Sequence, residues 1–183
     1  MKQAKIVAVA GMPGAGKTTA CDFFRGIGLP VLRFGDQTDI GLRELGKELN
    51  EENERWYREK LRSELGMAAY AVKIKPRIEE ALKKDNLVIL DGLYSWEEYE
   101  CLKKKYKNLS VLCIYASPAV RYQRLRGRKI RSLTTEQARS RDIAELLNLH
   151  KGPPIALADY LLKNEKKVDD LYQQLKELCS QWQ

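Results

Sequence analysis

Gly11-Met12-Pro13-Gly14-Ala15-Gly16-Lys17-Thr18 fits the spacing G-x-x-x-x-G-K-[ST], and its flanks are those a phosphate-binding loop requires. The apolar run Lys5-Ile6-Val7-Ala8-Val9-Ala10 before it reads as a buried strand, and Thr19 to Arg25 after it as a helix. Glycines let such a loop fold into a nest of N–H groups aimed at phosphate oxygens, and the following helix adds its positive end. The nucleotide-contacting set is therefore Gly11, Pro13, Gly14, Ala15, Gly16, Lys17, Thr18 and Thr19. Lys17 is expected along the β- and γ-phosphates of ATP, with the Thr18 hydroxyl in a Mg²⁺ shell.

Outward from this loop, four more short apolar runs follow at helix-sized intervals: 30–34, 87–90, 111–115 and 160–162. Strands alternating with helical patterns predict an α/β fold, a five-stranded parallel sheet with helices on both faces. The second and third strands are separated by about fifty residues where a crossover needs only about a dozen, so a helical insert is expected over about 36–82. Pro76 should kink or restart its last helix. Ser117-Pro118, Ser95 to Glu98 and Thr134 to Gln137 mark helix starts. Val168, Leu171, Tyr172, Leu175, Leu178, Cys179 and Trp182 form the apolar stripe of a C-terminal helix.

The 183 residues, 44% of them hydrophobic, suit one domain spanning 1–183. No apolar run approaches the ~20 residues of a membrane span, and Met1-Lys2 leads directly into a core strand, so a cytoplasmic protein without a membrane partner is expected. Cys21, Cys101, Cys113 and Cys179 lack metal-ligand spacing and read as buried thiols in a reducing compartment. The net charge is +8, and its distribution matters more: 121–133 holds six basic residues and no acid, whereas 51–64 mixes five acids with four bases. A concentrated basic segment implies an anionic partner, which is nucleotide phosphate or a nucleic-acid backbone. Tyr122 is the only aromatic in that segment, so the stacking pattern of nucleic-acid modules is missing.

Three further features bear on chemistry. Asp91 ends the apolar run Leu87 to Leu90 and would hold the Mg²⁺ shell beside the loop. Asp36 closes the second strand at the same sheet edge, where its carboxylate could take a proton from an attacking hydroxyl or fix an acceptor. Arg124, Arg128 and Arg131, within a lid over about 121–141, would neutralise the phosphoryl group in transfer, and Arg139 and Arg141 on the following helix could close over the phosphates with them. His150, the only histidine, reads as structural.

These elements together resemble the nucleoside-monophosphate-kinase-like branch of the P-loop kinases. More narrowly, the phrases GMPGAGKTT, FGD, DGLYSWEE, ASPAVRYQRLRGR and IALADYLLKNE are similar to an archaeal-type family described as dephospho-CoA-kinase-like or adenylate-kinase-like. The resemblance implies a three-layer α/β/α P-loop fold, an arginine-rich lid and a kinase using ATP and Mg²⁺ on a small nucleotide-like acceptor. Arg43 or Arg62 would bind the acceptor's phosphate. Adenylate kinases carry an arginine three residues after the Gly-Asp pair; this chain has Asp39 there, and Arg43 is the nearest replacement. Dephospho-CoA kinases share the Gly28-Leu29-Pro30-Val31 lead into strand two and an element like Ala158-Asp159 to Asn164. A nucleotide-binding switch or slow ATPase that controls a partner would use the same loop, and a nucleic-acid-binding protein is the third alternative.

Overall fold

The computed structural model describes residues 5–182. Five strands, β1 (Lys5–Ala10), β2 (Val31–Arg33), β3 (Leu87–Asp91), β4 (Leu109–Tyr115) and β5 (Tyr160–Lys163), form one parallel sheet in the order β2-β3-β1-β4-β5. The helices are α1 (Lys17–Gly26), α2 (Asp36–Glu44), α3 (Glu51–Leu65), α4 (Ala69–Leu82), α5 (Trp96–Lys105), α6 (Pro118–Arg126), α7 (Thr135–Leu147), α8 (Gly152–Ala156) and α9 (Val168–Ser180).

Side-chain alternation along β1 splits the core into two layers, as a parallel sheet covered on both faces demands. Ile6, Ala8 and Ala10 pack with Ile74 and Ile78 of α4 and Leu102 of α5. Val7 and Val9 pack on the other face with Phe24 of α1 and with Leu171 and Leu175 of α9. Val9 pairs with Asp91 and Ala10 with Cys113, so the ends of β1, β3 and β4 lie level and the loop after β1 emerges between its neighbours. Among the described residues no helix is long and apolar enough to cross a membrane.

The fifty-residue span between β2 and β3 folds as α2, α3 and α4, with two departures from its sequence pattern. Leu42 and Leu61 are buried, but Leu45, Leu49, Trp56 and Leu65 are exposed. Leu45 and Leu49 fall beyond α2 because Gly46, at φ 64°, ends the helix, with Lys47 N donating to Leu42 O and Gly46 N to Arg43 O. α4 runs through Pro76 without restarting. Ile74 and Ile78, both fully buried, fix the turns on either side, and Val72, whose carbonyl the proline leaves unpaired, lies among the exposed residues where water can reach.

Candidate active site

The loop after β1 has the shape its glycines allow. Gly14 and Gly16 take φ 80° and 104°. A Cβ on Gly14 would lie 2.8 Å from Arg121 O, and one on Gly16 would lie 2.1 Å from Asn164 Nδ2, so neither position admits a side chain. α1 starts at Lys17 with Gly16 as its N-cap, no side-chain capping bond and no acid in its first turn. Its first N–H groups are thus left for an anion. Lys17 Nζ donates to Gly11 O at 2.8 Å and Met12 O at 3.1 Å. Burial, followed by the positive charge of Lys151, lowers the Lys17 pKa to about 7. An arriving phosphate would restore its full charge. Thr18 is exposed in the first helical turn, and Thr19 is half-buried beside it.

Two buried side chains hold the loop from behind. Arg121 donates from Nη1 to Pro13 O at 3.1 Å and from Nε to Ala116 O at 3.1 Å. The same guanidinium grips Asp142 of α7 through two bonds of 2.9 and 2.6 Å. Asn164, just past β5, donates from Nδ2 to Ala15 O at 2.8 Å and accepts from Arg124 Nη1 at 2.9 Å through its carbonyl. Arg121 and Arg124, which open the basic segment, therefore brace the loop and its surroundings in this state. Arg128 is exposed in the turn after α6.

Asp91 ends β3 next to the loop, is nearly buried, and lies 3.6 Å from Arg25 Nη2. The Cys21 thiol faces it; burial first, then the Asp91 charge, pushes that thiol far up and keeps it unreactive. Among the described residues no cluster of three acidic, histidine or cysteine side chains could enclose a metal. One carboxylate and one hydroxyl beside a phosphate loop nevertheless suit Mg²⁺, which takes its remaining ligands from phosphate and water. Asp36, the first residue of α2, accepts from Arg77 Nη2 at 3.1 Å and lies 4.0 Å from Arg33 Nη1.

A cleft of about 620 Å³ opens beside these elements. Its wall carries five guanidinium groups (Arg33, Arg58, Arg62, Arg131, Arg141) against three carboxylates (Asp39, Glu54, Glu145), with Thr38, Tyr70 and Tyr94 between them. Arg62 stacks over the Tyr70 ring at 5.9 Å, and Tyr70 shares a 2.7 Å hydrogen bond with Thr38. Of the residues expected around an acceptor, Arg62 and Arg131 line this cleft, while Arg43 is exposed at the end of α2 and Asp36 turns to Arg77. Sequence reasoning missed Arg33, Arg58 and Tyr94. Arg58 was within reach, since it stands four residues before Arg62 and so on the same helical face; Arg33 and Tyr94 carry no local signal. Also missed were buried Lys151, paired with Glu145 and 5.2 Å from the centre of the Tyr94 ring, and buried Glu98, which accepts from Tyr94 N at 2.7 Å.

Comparison with known proteins agrees with this architecture. The AAA domain family matches residues 7–145. UPF0200 protein MJ1399 of Methanocaldococcus jannaschii is 38% identical over 172 residues, covering 93% of this chain and 86% of the relative. UPF0200 protein PYRAB09750 of Pyrococcus abyssi is 36% identical, covering 93% and 91%. Among solved structures, TT1252 from Thermus thermophilus superposes with a TM-score of 0.68 over the full length of both chains at 20% identity. Shikimate kinase from Bacteroides thetaiotaomicron gives 0.62 at 19% identity, covering 96% and 98%. A gluconokinase from Sinorhizobium meliloti gives 0.56 at 14% identity, covering 100% and 97%. At these identities the structural likeness concerns the fold alone.

Proposed function

This chain belongs to the UPF0200 family and, through its AAA domain, to the P-loop proteins; from that premise we propose that it is an ATP-dependent kinase acting on a small nucleotide-like acceptor. One observation carries the reading: an uncapped helix N-terminus with its lysine stands beside an arginine-lined cleft, and Arg141 and Glu145 of that cleft act electrostatically on Lys17. A nucleotide-binding switch needs the loop alone. A second cavity, with guanidinium groups in excess over carboxylates, is what an acceptor bearing its own negative charge requires.

In this reading ATP lies along Gly11 to Thr19. Lys17 leaves the Gly11 and Met12 carbonyls for the phosphates and neutralises charge on the group in transfer. Thr18 and Asp91 would hold Mg²⁺, which would supply positive charge to offset that of the phosphates. Arg62 and its neighbour Arg58 hold the acceptor, with Arg43 at the outer end of α2. Arg131 and, after rearrangement, Arg124 and Arg128 close over the phosphates. Asp36 orients the acceptor or takes its proton.

Purified protein with ATP and Mg²⁺, offered nucleoside monophosphates and dephospho-CoA in turn, tests this. We expect one acceptor class to be phosphorylated. ATP loss that no acceptor changes would establish the switch or slow ATPase instead. Asp36→Asn then separates two chemistries. A hydroxyl acceptor, as in dephospho-CoA, must lose a proton, so losing a base at Asp36 should cut the maximal rate about 10²- to 10⁴-fold with ATP affinity unchanged. A phosphate acceptor is already ionised, and the substitution should mainly weaken acceptor binding.

A further inference from the structure

Lys151 follows α7 directly after His150, whose φ of 48° turns the chain back toward the sheet. The lysine is 2% exposed, and its ammonium pairs with Glu145 above the Tyr94 ring. A buried ammonium needs a counter-ion, but this one shares its own: Arg141 Nε bonds the same carboxylate at 3.0 Å. Two cations thus rest on a single acid. Lys17 is a third cation nearby, and no other side-chain charge affects it as much as that of Lys151; Asp91 is a further acid acting on it, so three cations face two carboxylates here. Glu145, Arg141 and Tyr94 line the cleft, and Lys151, which is buried and does not, lies just behind them against Glu145 and the Tyr94 ring, so this positive charge borders the cleft. The missing component is an anion. Phosphate oxygens match it, because an ammonium binds them as a point charge without demanding one geometry.

We infer that Lys151 is a phosphate-binding residue of this site, held on Glu145 until a phosphate oxygen takes that carboxylate's place. The inference rests on the nucleotide reading above and adds a ligand outside the loop and the arginine segment. Closeness to Lys17 points to the terminal phosphate of the donor, and an acceptor phosphate is the other source of the same chemistry.

Calorimetric binding of Mg²⁺ with a non-hydrolysable ATP analogue, of ADP and of AMP to the full chain distinguishes the cases. Lys151→Met should weaken the ATP analogue about tenfold or more, as loss of a charge-assisted hydrogen bond does, and leave ADP nearly unchanged. Glu145→Gln should strengthen binding of the analogue, since the competing carboxylate is gone. Weakening confined to AMP would place Lys151 on the acceptor phosphate. Unchanged affinities in both variants would overturn the inference and leave Lys151 a core ion pair. Should Lys151→Met fail to fold, Glu145→Gln decides alone: affinity equal to or below wild type overturns the proposal. Wild-type protein that binds no ATP analogue would overturn the nucleotide reading first, and the role of Lys151 with it.

Discussion

Glu98 shows how far local sequence reaches at the scale of one residue. Ser95 to Glu98 has capping-box spacing, and Ser95 Oγ does accept from Glu98 N at 3.1 Å. In the returning half the Glu98 carboxylate takes the N–H of Tyr94 at 2.7 Å, one residue before the cap. Burial overrides this bond and raises its pKa from 4.5 to about 7. Between those values the folded protein binds more protons than the unfolded chain, so its stability falls as pH rises through that window. Glu98→Gln removes the titration and keeps an acceptor for Tyr94. The variant should match wild type near pH 4 and exceed it by up to about 3 kcal/mol above pH 8. Urea denaturation at the two pH values checks this, and a difference independent of pH would mean that the folded protein holds the Glu98 proton no more tightly than the unfolded chain does. The spacing was legible because capping is decided within four residues. The shifted proton was not, because it depends on Ser95, Tyr94 and the core beneath them closing off water.

At the scale of elements, α7 begins where its sequence says: Thr134 Oγ1 accepts from Gln137 N at 3.2 Å, and Gln137 Oε1 from Thr134 N at 2.9 Å. The partnership between α6 and α7 is of another kind. Arg121 belongs by composition to a basic, exposed-looking run, yet it is 4% exposed and fixed to Asp142, twenty-one residues on. No periodicity announces such a pair, since it exists only once both helices dock beside the phosphate loop. Because Arg121 also holds Pro13 O, the ion pair transmits the packing of α7 to the loop. Asp142→Ala would leave a buried guanidinium without its counter-ion, at a cost of about 3–5 kcal/mol. Chemical denaturation should show a loss of that size. A loss within the range of surface substitutions would mean that water reaches Arg121 and that the loop is braced by Asn164 alone.

Across the whole molecule, rigidity and charge are divided unequally around the cleft. The phosphate loop is fixed from two sides by Arg121 and Asn164, while the basic residues that follow Arg124 lie on the surface: Arg126, Arg128, Lys129 and Arg131 are all exposed. That turn is tied back by Ser132 Oγ donating to Arg126 O at 2.7 Å and Leu133 N to Leu125 O at 3.3 Å, and Arg131 holds φ 55°, a costly conformation for a side-chain-bearing residue. The clustered positive charges repel one another until phosphate oxygens neutralise them, so nucleotide should order this turn. A non-hydrolysable ATP analogue with Mg²⁺ is therefore expected to slow hydrogen exchange over 127–134, at the tip of the 121–141 segment, and to leave α6 itself, already anchored through Arg121, little changed. Exchange at high salt without nucleotide provides the control: screening reduces the repulsion but supplies no ligand, so protection there should be weaker. Equal exchange with and without the analogue would make the turn a fixed basic face, and its anionic partner would then be sought among nucleic acids.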